Sequence, residues 1–237
     1  MLLAPSAAFA AAEVHRFSLV LSGVPTSVSA GDFNDVIDFY NNVALTPNGL
    51  EPLSKISFTW LFDGEFRYFA TQNLALTAGV GQMRAKSVKE YLPALSQSFN
   101  VRAELISVPV HIGAAYYLQA YNQGDFQARM FLGAGLEHYT HSRTSLEQSF
   151  FNSSTNQGSS FKFASTNDAP GYYAEAGAHM FFASRYSVLL SVLYRSGKVE
   201  GMVFENTGLP EYNPKTGKPA SLDVSGVGLR MAVSIGL

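Results

Sequence analysis

Residues 56–68 read ISFTWLFDGEFRY, and their even and odd positions are suited to different solvents. Ile56, Phe58, Trp60, Phe62, Gly64, Phe66 and Tyr68 make one row, and Ser57, Thr59, Leu61, Asp63, Glu65 and Arg67 make the other. Successive side chains of a β-strand point to opposite faces, so a strand here has one face fit for lipid and one fit for water. A helix would scatter both rows around its circumference.

The same parity recurs along the chain. Ile106, Val108, Val110, Ile112, Ala114, Tyr116 and Leu118 oppose Ser107, Pro109, His111, Gly113 and Ala115. Phe126, Ala128, Met130, Leu132, Ala134 and Leu136 oppose Gln127, Arg129, Gly133, Gly135 and Glu137. Weaker copies cover 15–21, 74–80, 172–182 and 188–194, and the end of the chain sets Val227, Leu229, Met231, Val233, Ile235 and Leu237 against Gly226, Gly228, Arg230, Ala232, Ser234 and Gly236. Eight strands are predicted, the even number that lets an antiparallel sheet close on itself.

Composition agrees with one domain that enters a membrane as strands. The 237 residues are 47% hydrophobic, 13% aromatic and 14% charged, with a net charge of −2. That balance argues against a nucleic-acid surface or a disordered acidic tail. No apolar run approaches the ~18–20 residues of a spanning helix. The chain has no cysteine, which removes disulfides, thiolate metal sites and a cysteine nucleophile. Its start, MLLAPSAAFAAA, is apolar and small and carries the pattern Ala8-Phe9-Ala10, so residues 1–10 read as a signal peptide cleaved after Ala10, leaving 11–237 as the barrel.

Loop lengths separate a membrane barrel from a soluble one. Predicted strands are joined alternately by short connections, at about 69–73, 119–125 and 183–186, and by long ones, at about 23–55, 86–101, 142–170 and 196–221. Outer-membrane barrels alternate short periplasmic turns with long extracellular loops. Tyr68, Tyr116, Phe126, Phe182 and Tyr186 fall at the short-turn ends and Tyr172 and Tyr194 at the long-loop ends, where aromatic girdles belong. A soluble lipocalin-type barrel would instead turn its apolar face inward and expose Asp63, Glu65, Arg67, Arg129 and Glu137.

The segments FRYFATQNLALTAGVG (66–81), ISVPVHIGAAYYL (106–118) and GVGLRMAVSIGL (226–237) resemble the small outer-membrane barrels of the OmpA, OmpX and OmpW type. That resemblance covers nearly the whole mature chain and implies an eight-stranded antiparallel transmembrane barrel in the bacterial outer membrane. It implies no cofactor, a monomer, and as partners outer-membrane lipid, lipopolysaccharide and the barrel-insertion machinery. In that family the last strand commonly ends in an aromatic residue; here it ends in Leu237. The roles it implies are structural, adhesive or weakly transporting through the extracellular loops, which would meet any external partner.

The candidate functional residues are a polar lumen network: Arg16, Asp63, Glu65, Arg67, Arg129, Glu137, Glu175, Arg195 and Arg230, five cations against four anions. An eight-stranded barrel is only wide enough to be filled by side chains, so these charges must pair. His111 and His179 point inward by parity and can join them. Two histidines on nonadjacent strands, with no carboxylate partner evident in the sequence, make a poor metal site, and none is assigned.

His138, His141 and Ser142, in HYTHSRTS, lie where barrel-type lipid A deacylases place a histidine and a serine. Adjacent strand residues face opposite ways, which counts against a His141–Ser142 dyad, so no catalytic residue is assigned and an acyl hydrolase stands as the alternative. Inward Leu105, Phe131, Phe181, Leu189 and Leu193 keep a second alternative, an OmpW-like carrier of small hydrophobic molecules. In the first long loop Asp32 can cap a helix carrying Phe33, Val36, Ile37 and Tyr40 on one face. The second long loop repeats that spacing with Val88, Tyr91, Leu92 and Leu95, and the third, 142–170, reads as a polar, mobile loop whose Asn152-Ser153-Ser154 sequon carries little meaning.

Overall fold

The computed structural model describes residues 15–94, 96–123, 126–182 and 185–237. The expected signal peptide, residues 1–10, lies outside them. Eight strands form a closed antiparallel ring: β1 (Phe17–Ser27), β2 (Phe58–Phe69), β3 (Leu74–Ala94), β4 (Gln97–Tyr117), β5 (Phe126–Asn152), β6 (Gln157–Phe181), β7 (Tyr186–Glu200) and β8 (Gly226–Gly236). Each pairs with its neighbours in sequence, and β8 closes on β1 through partners running from Ser18↔Gly236 to Thr26↔Gly228.

The parity read from sequence is the parity of the wall. Phe62 is 63% exposed while its neighbour Asp63 is buried, and Arg67 has no accessible surface. A soluble barrel has the opposite sidedness, so this is a transmembrane barrel with an apolar exterior. Aromatic pairs mark both ends of the apolar band: Phe126 and Phe182, 5.8 Å apart, at the short turns, and Tyr172 and Tyr194, 6.4 Å apart, toward the long loops.

Several strands run far past the lengths predicted for them. β5 has 27 residues and β6 has 25, whereas ~10 tilted residues cross a bilayer. Two expected loops are therefore sheet. Residues 86–94 and 97–101 belong to the paired ends of β3 and β4, so Val88, Tyr91 and Leu92 belong to a strand and not to a helix, and Leu95 lies outside the described residues. Residues 142–170 are mostly an ordered hairpin, paired from Ser142↔Asn167 to Asn152↔Gln157. One extra residue in β5 near His141, whose φ is 50°, forms a bulge that moves the inward positions from odd below it to even above it.

The first loop does form a helix, α1 (Asp32–Tyr40), which sinks Phe33 and Ile37 into the mouth of the barrel. Asp32 is not its cap. Its carboxylate instead accepts from the Ser221 N–H at 2.8 Å, the Ser221 hydroxyl at 2.9 Å and the Asn213 amide at 2.8 Å, tying α1 to the last loop. These loops bring Phe33, Ile37, Leu45, Leu53, Met202 and Leu222 against Val24, Met83, Leu105 and Leu193 of the wall, an apolar plug over the lumen. Full burial of each such side chain stabilises by about 1.5–3 kcal/mol.

Candidate functional site: a charged lumen and a wall above it

Under the plug lies a layer of ion pairs centred on Arg230. Its guanidinium meets Asp63 Oδ2 at 2.8 Å, Glu65 Oε2 at 3.2 Å and Glu175 Oε2 at 3.3 Å, and donates from Nε to the Ser22 hydroxyl at 3.1 Å. Arg67 donates to Glu65 from Nε and to the Tyr117 hydroxyl at 2.6 Å, and stands 3.6 Å from Glu175. The Ser191 hydroxyl, 2.5 Å from Glu175 Oε1, completes the set. Strands β1, β2, β4, β6, β7 and β8 are thus joined across the lumen.

Of the nine residues expected there, Asp63, Glu65, Arg67, Glu175 and Arg230 form this knot. Glu137 accepts from the Tyr139 hydroxyl, and among the described residues no cation stands within ion-pair distance of it. Arg195 lies in the same layer, its Nη1 buried and, among the described residues, unpartnered. Arg129 sits lower, donating to the carbonyls of Gln72 and Leu118 and stacking over Tyr117. Arg16 is not in the lumen: it precedes β1, is exposed, and reaches the Tyr68 hydroxyl at 2.8 Å on the outer surface. Pairing parity does not constrain a residue that belongs to no strand.

His111 does find carboxylates. Its Nε2 is 3.4 Å from Glu65 and its Nδ1 3.7 Å from Asp63, although β2 and β4 are separated by β3. Gly79 makes this reach: it pairs with Glu65 on one side and His111 on the other, and a Cβ there would stand 2.6 Å from the imidazole. Asp63, Glu65 and His111 offer donor atoms within 4.8 Å of one another, a geometry that could hold a metal ion. Arg230 already supplies the countercharge to both carboxylates, and the space among Asp63, His111, Glu137, Tyr173 and Arg195 is about that of one water.

Sequence reading missed the tyrosines that fill this layer. Tyr173 lies over Gly113 and Gly135, and Tyr139 over Gly171 and Gly197. Inward parity was a sufficient signal for both; their glycine berths depend on strand register. Below the knot, Phe69, Tyr117, Phe131, Phe181 and Leu189 make an apolar floor. His179 stacks on Phe181 there and hydrogen-bonds Tyr117 at 3.0 Å and Ser187 at 2.8 Å. The inward apolar residues considered for a carrier are therefore split, Leu105 and Leu193 above the charges and Phe131, Phe181 and Leu189 beneath.

At the rim, Ser142 is buried and hydrogen-bonds the Ser107 hydroxyl at 2.8 Å, while His141 is exposed and its backbone N–H donates to Asp168. Beyond the rim, β3, β4, β5 and β6 continue as a four-stranded wall. Lys86, Arg102, Glu104, Glu147 and Lys162 occupy its outer side, and Val101, Ala103, Leu146, Phe161 and Phe163 its inner side.

No protein-family model matches the sequence, and no curated protein matches it. Among solved structures, the chain is similar to Ail, the attachment invasion locus protein of Yersinia pestis, at 12% identity over 94% of this chain and 98% of that one, with a TM-score of 0.32. A second Ail structure, in complex with the heparin analogue sucrose octasulfate, is similar at 11% identity over 92% and 96%, again with a TM-score of 0.32. The outer membrane protease OmpT from Escherichia coli is similar at 7% identity over 94% of each chain, with a TM-score of 0.27. Similarity of this degree assigns no activity.

Proposed function

We propose that the chain is a monomeric protein of the bacterial outer membrane that works as an adhesin through its extracellular wall, with no catalytic residue and no cofactor. The observation that carries this reading is the division of the molecule: the lumen is filled by the Arg230 knot between an apolar plug and an apolar floor, while β3–β6 rise well past the apolar band. A filled lumen leaves the outer surface as the place of work. The resemblance of residues 66–81, 106–118 and 226–237 to OmpA-, OmpX- and OmpW-type barrels supports the same placement, with lipopolysaccharide around the apolar exterior and the insertion machinery as assembly partner. The divergence of His141 and Ser142 speaks against a deacylase.

Bacteria expressing the intact chain, or a variant lacking residues 149–160 at the wall's tip, test the reading. Attachment to mammalian cells should fall to the background of the host strain in the variant, while heat-modifiable gel migration shows that the barrel still folds. Undiminished attachment, or loss of a lipid A acyl chain in expressing cells, would overturn it.

A further inference from the structure

His111 is buried beside two carboxylates, yet among the described residues it makes no hydrogen bond of ordinary length. Its Nε2 stands 3.4 Å from Glu65 Oε2 and its Nδ1 3.7 Å from Asp63 Oδ1, beyond the ~2.7–3.2 Å of an N–H···O bond. The shorter separation fits a different partner. Two ligands each about 2.0–2.2 Å from one tetrahedral ion stand roughly 3.4 Å from each other, so Nε2 and Oε2 are spaced as neighbouring ligands of a zinc-class ion. Asp63 offers the third donor, the three lying within 4.8 Å of one another, and rotation about its side-chain bonds brings it closer.

The surroundings leave these atoms available. Arg67 holds the other oxygen of Glu65, Oε1, and the shortest contact of Arg230 is with Asp63 Oδ2, at 2.8 Å. Arg230 Nη1 is 3.2 Å from Glu65 Oε2 but also within 3.4 Å of both Glu175 oxygens, so it keeps two carboxylates when Glu65 Oε2 turns to an ion. Among the described residues the layer sets Asp63, Glu65, Glu137 and Glu175 against Arg67, Arg195 and Arg230, which leaves one carboxylate in excess. Glu137, directly opposite His111 in the ladder, lines the same cavity. That cavity admits about one water, and a bare zinc-class ion is smaller; calcium, which takes roughly six to eight oxygens, does not fit. Gly79 keeps the space clear, since a Cβ there would stand 2.6 Å from the imidazole.

We propose that Asp63, Glu65 and His111 bind a divalent ion of the zinc class inside the lumen, cross-linking β2 to β4 across Gly79. Imidazole and carboxylate donors in a chain without cysteine select borderline ions of this kind. Arg67 on Glu65 and Arg230 on Asp63 orient the ligands, as outer partners do in metal sites. The ion is structural: it lies in the plugged lumen and takes no part in what the wall does. Because plug and floor seal this layer, the site fills as the barrel folds.

The test is the full chain refolded into lipid nanodiscs with zinc or without it, washed with a chelator and analysed for bound metal and melting temperature. About one zinc per chain should survive the wash and raise the melting temperature. His111→Gln, which removes the nitrogen ligand, and Gly79→Ala, which pushes the ring aside, should each weaken zinc binding at least about tenfold, while His141→Gln at the rim should not. Zinc X-ray absorption of the wild-type chain needs no variant to fold, and should show one imidazole among oxygen ligands at about 2.0–2.2 Å. A chain that keeps no zinc through the wash, a spectrum with two or more imidazoles, or equal retention by folded His111→Gln overturns the proposal.

Discussion

The membrane band and the wall above it are made of the same strands but divide polar from apolar residues differently. Along β3 the outward positions are Leu74, Leu76, Ala78 and Val80 within the band, then Arg84 and Lys86 above it. Inward positions change in the reverse sense, from Asp63, Glu65 and Arg67 in the lumen to Val101, Ala103 and Leu146 against the plug. Solvent explains both halves. Lipid accepts only apolar groups and forces charges inward to pair, whereas water accepts charges outside and leaves the mouth for an apolar plug. The same division decides partners, since each band strand has two neighbours and the wall has edges.

The largest effect that sharpens this contrast is at the knot. Arg230→Ala strips the countercharge from three buried carboxylates and should cost about 3–5 kcal/mol, while Arg102→Ala, on the outer side of the wall, should cost under about 1 kcal/mol. Urea unfolding of the folded barrels measures both, and equal costs would break the distinction. Next, Leu132→Arg on the lipid-facing side of β5, where the native side chain is 60% exposed, should destabilise by about 2–4 kcal/mol. Ser149→Arg, on the wall's outer side in the same strand, should stay within about 0.5 kcal/mol.

Register gives a subtler probe. Gly79→Ala places a methyl 2.6 Å from the His111 ring and from the Gly64 carbonyl, and overpacking of that kind costs about 1–3 kcal/mol. Histidine NMR shifts should move with it. The smallest effect expected concerns the plug. Burial raises the Glu211 carboxyl above its ordinary value, a hydrogen bond with Ser165 opposes this, and the Asp32 charge adds to the rise. A raised carboxyl favours the protonated folded form, so its contribution is present below the ordinary carboxylate range and is lost as pH rises through the folded value. Glu211→Gln should therefore stabilise the protein at neutral pH and leave stability unchanged below about pH 4. Thermal melts across that range check the sign.

Legibility in the sequence followed the solvent boundary. Within the band every second residue answers to lipid, so the parity of 56–68 and 106–118 gave strands, sidedness and most of the inward charges. Above it both faces of the wall mix polar and apolar residues, and Val88, Tyr91 and Leu92 imitate helical spacing while lying in β3. Cross-strand pairing with β4, set by residues far along the chain, decides that segment. The His111 contact was hidden for a related reason: it depends on Glu65, Gly79 and His111 falling in one row, and a single sequence carries no inter-strand register. Helix α1 was legible because its apolar face is local, but the Asp32 partners, Asn213 and Ser221, lie nearly the whole chain away.

Planar-bilayer recording of the purified protein tests the central claim most directly, that the lumen is closed and the work is done outside it. Arg230, Arg67 and their carboxylates, sealed between the plug and the floor, predict a membrane that stays silent or shows only small transient openings after insertion. A stable, large, ohmic conductance from the folded wild-type chain would contradict the account, because it requires a continuous aqueous path through the layer that Arg230 occupies.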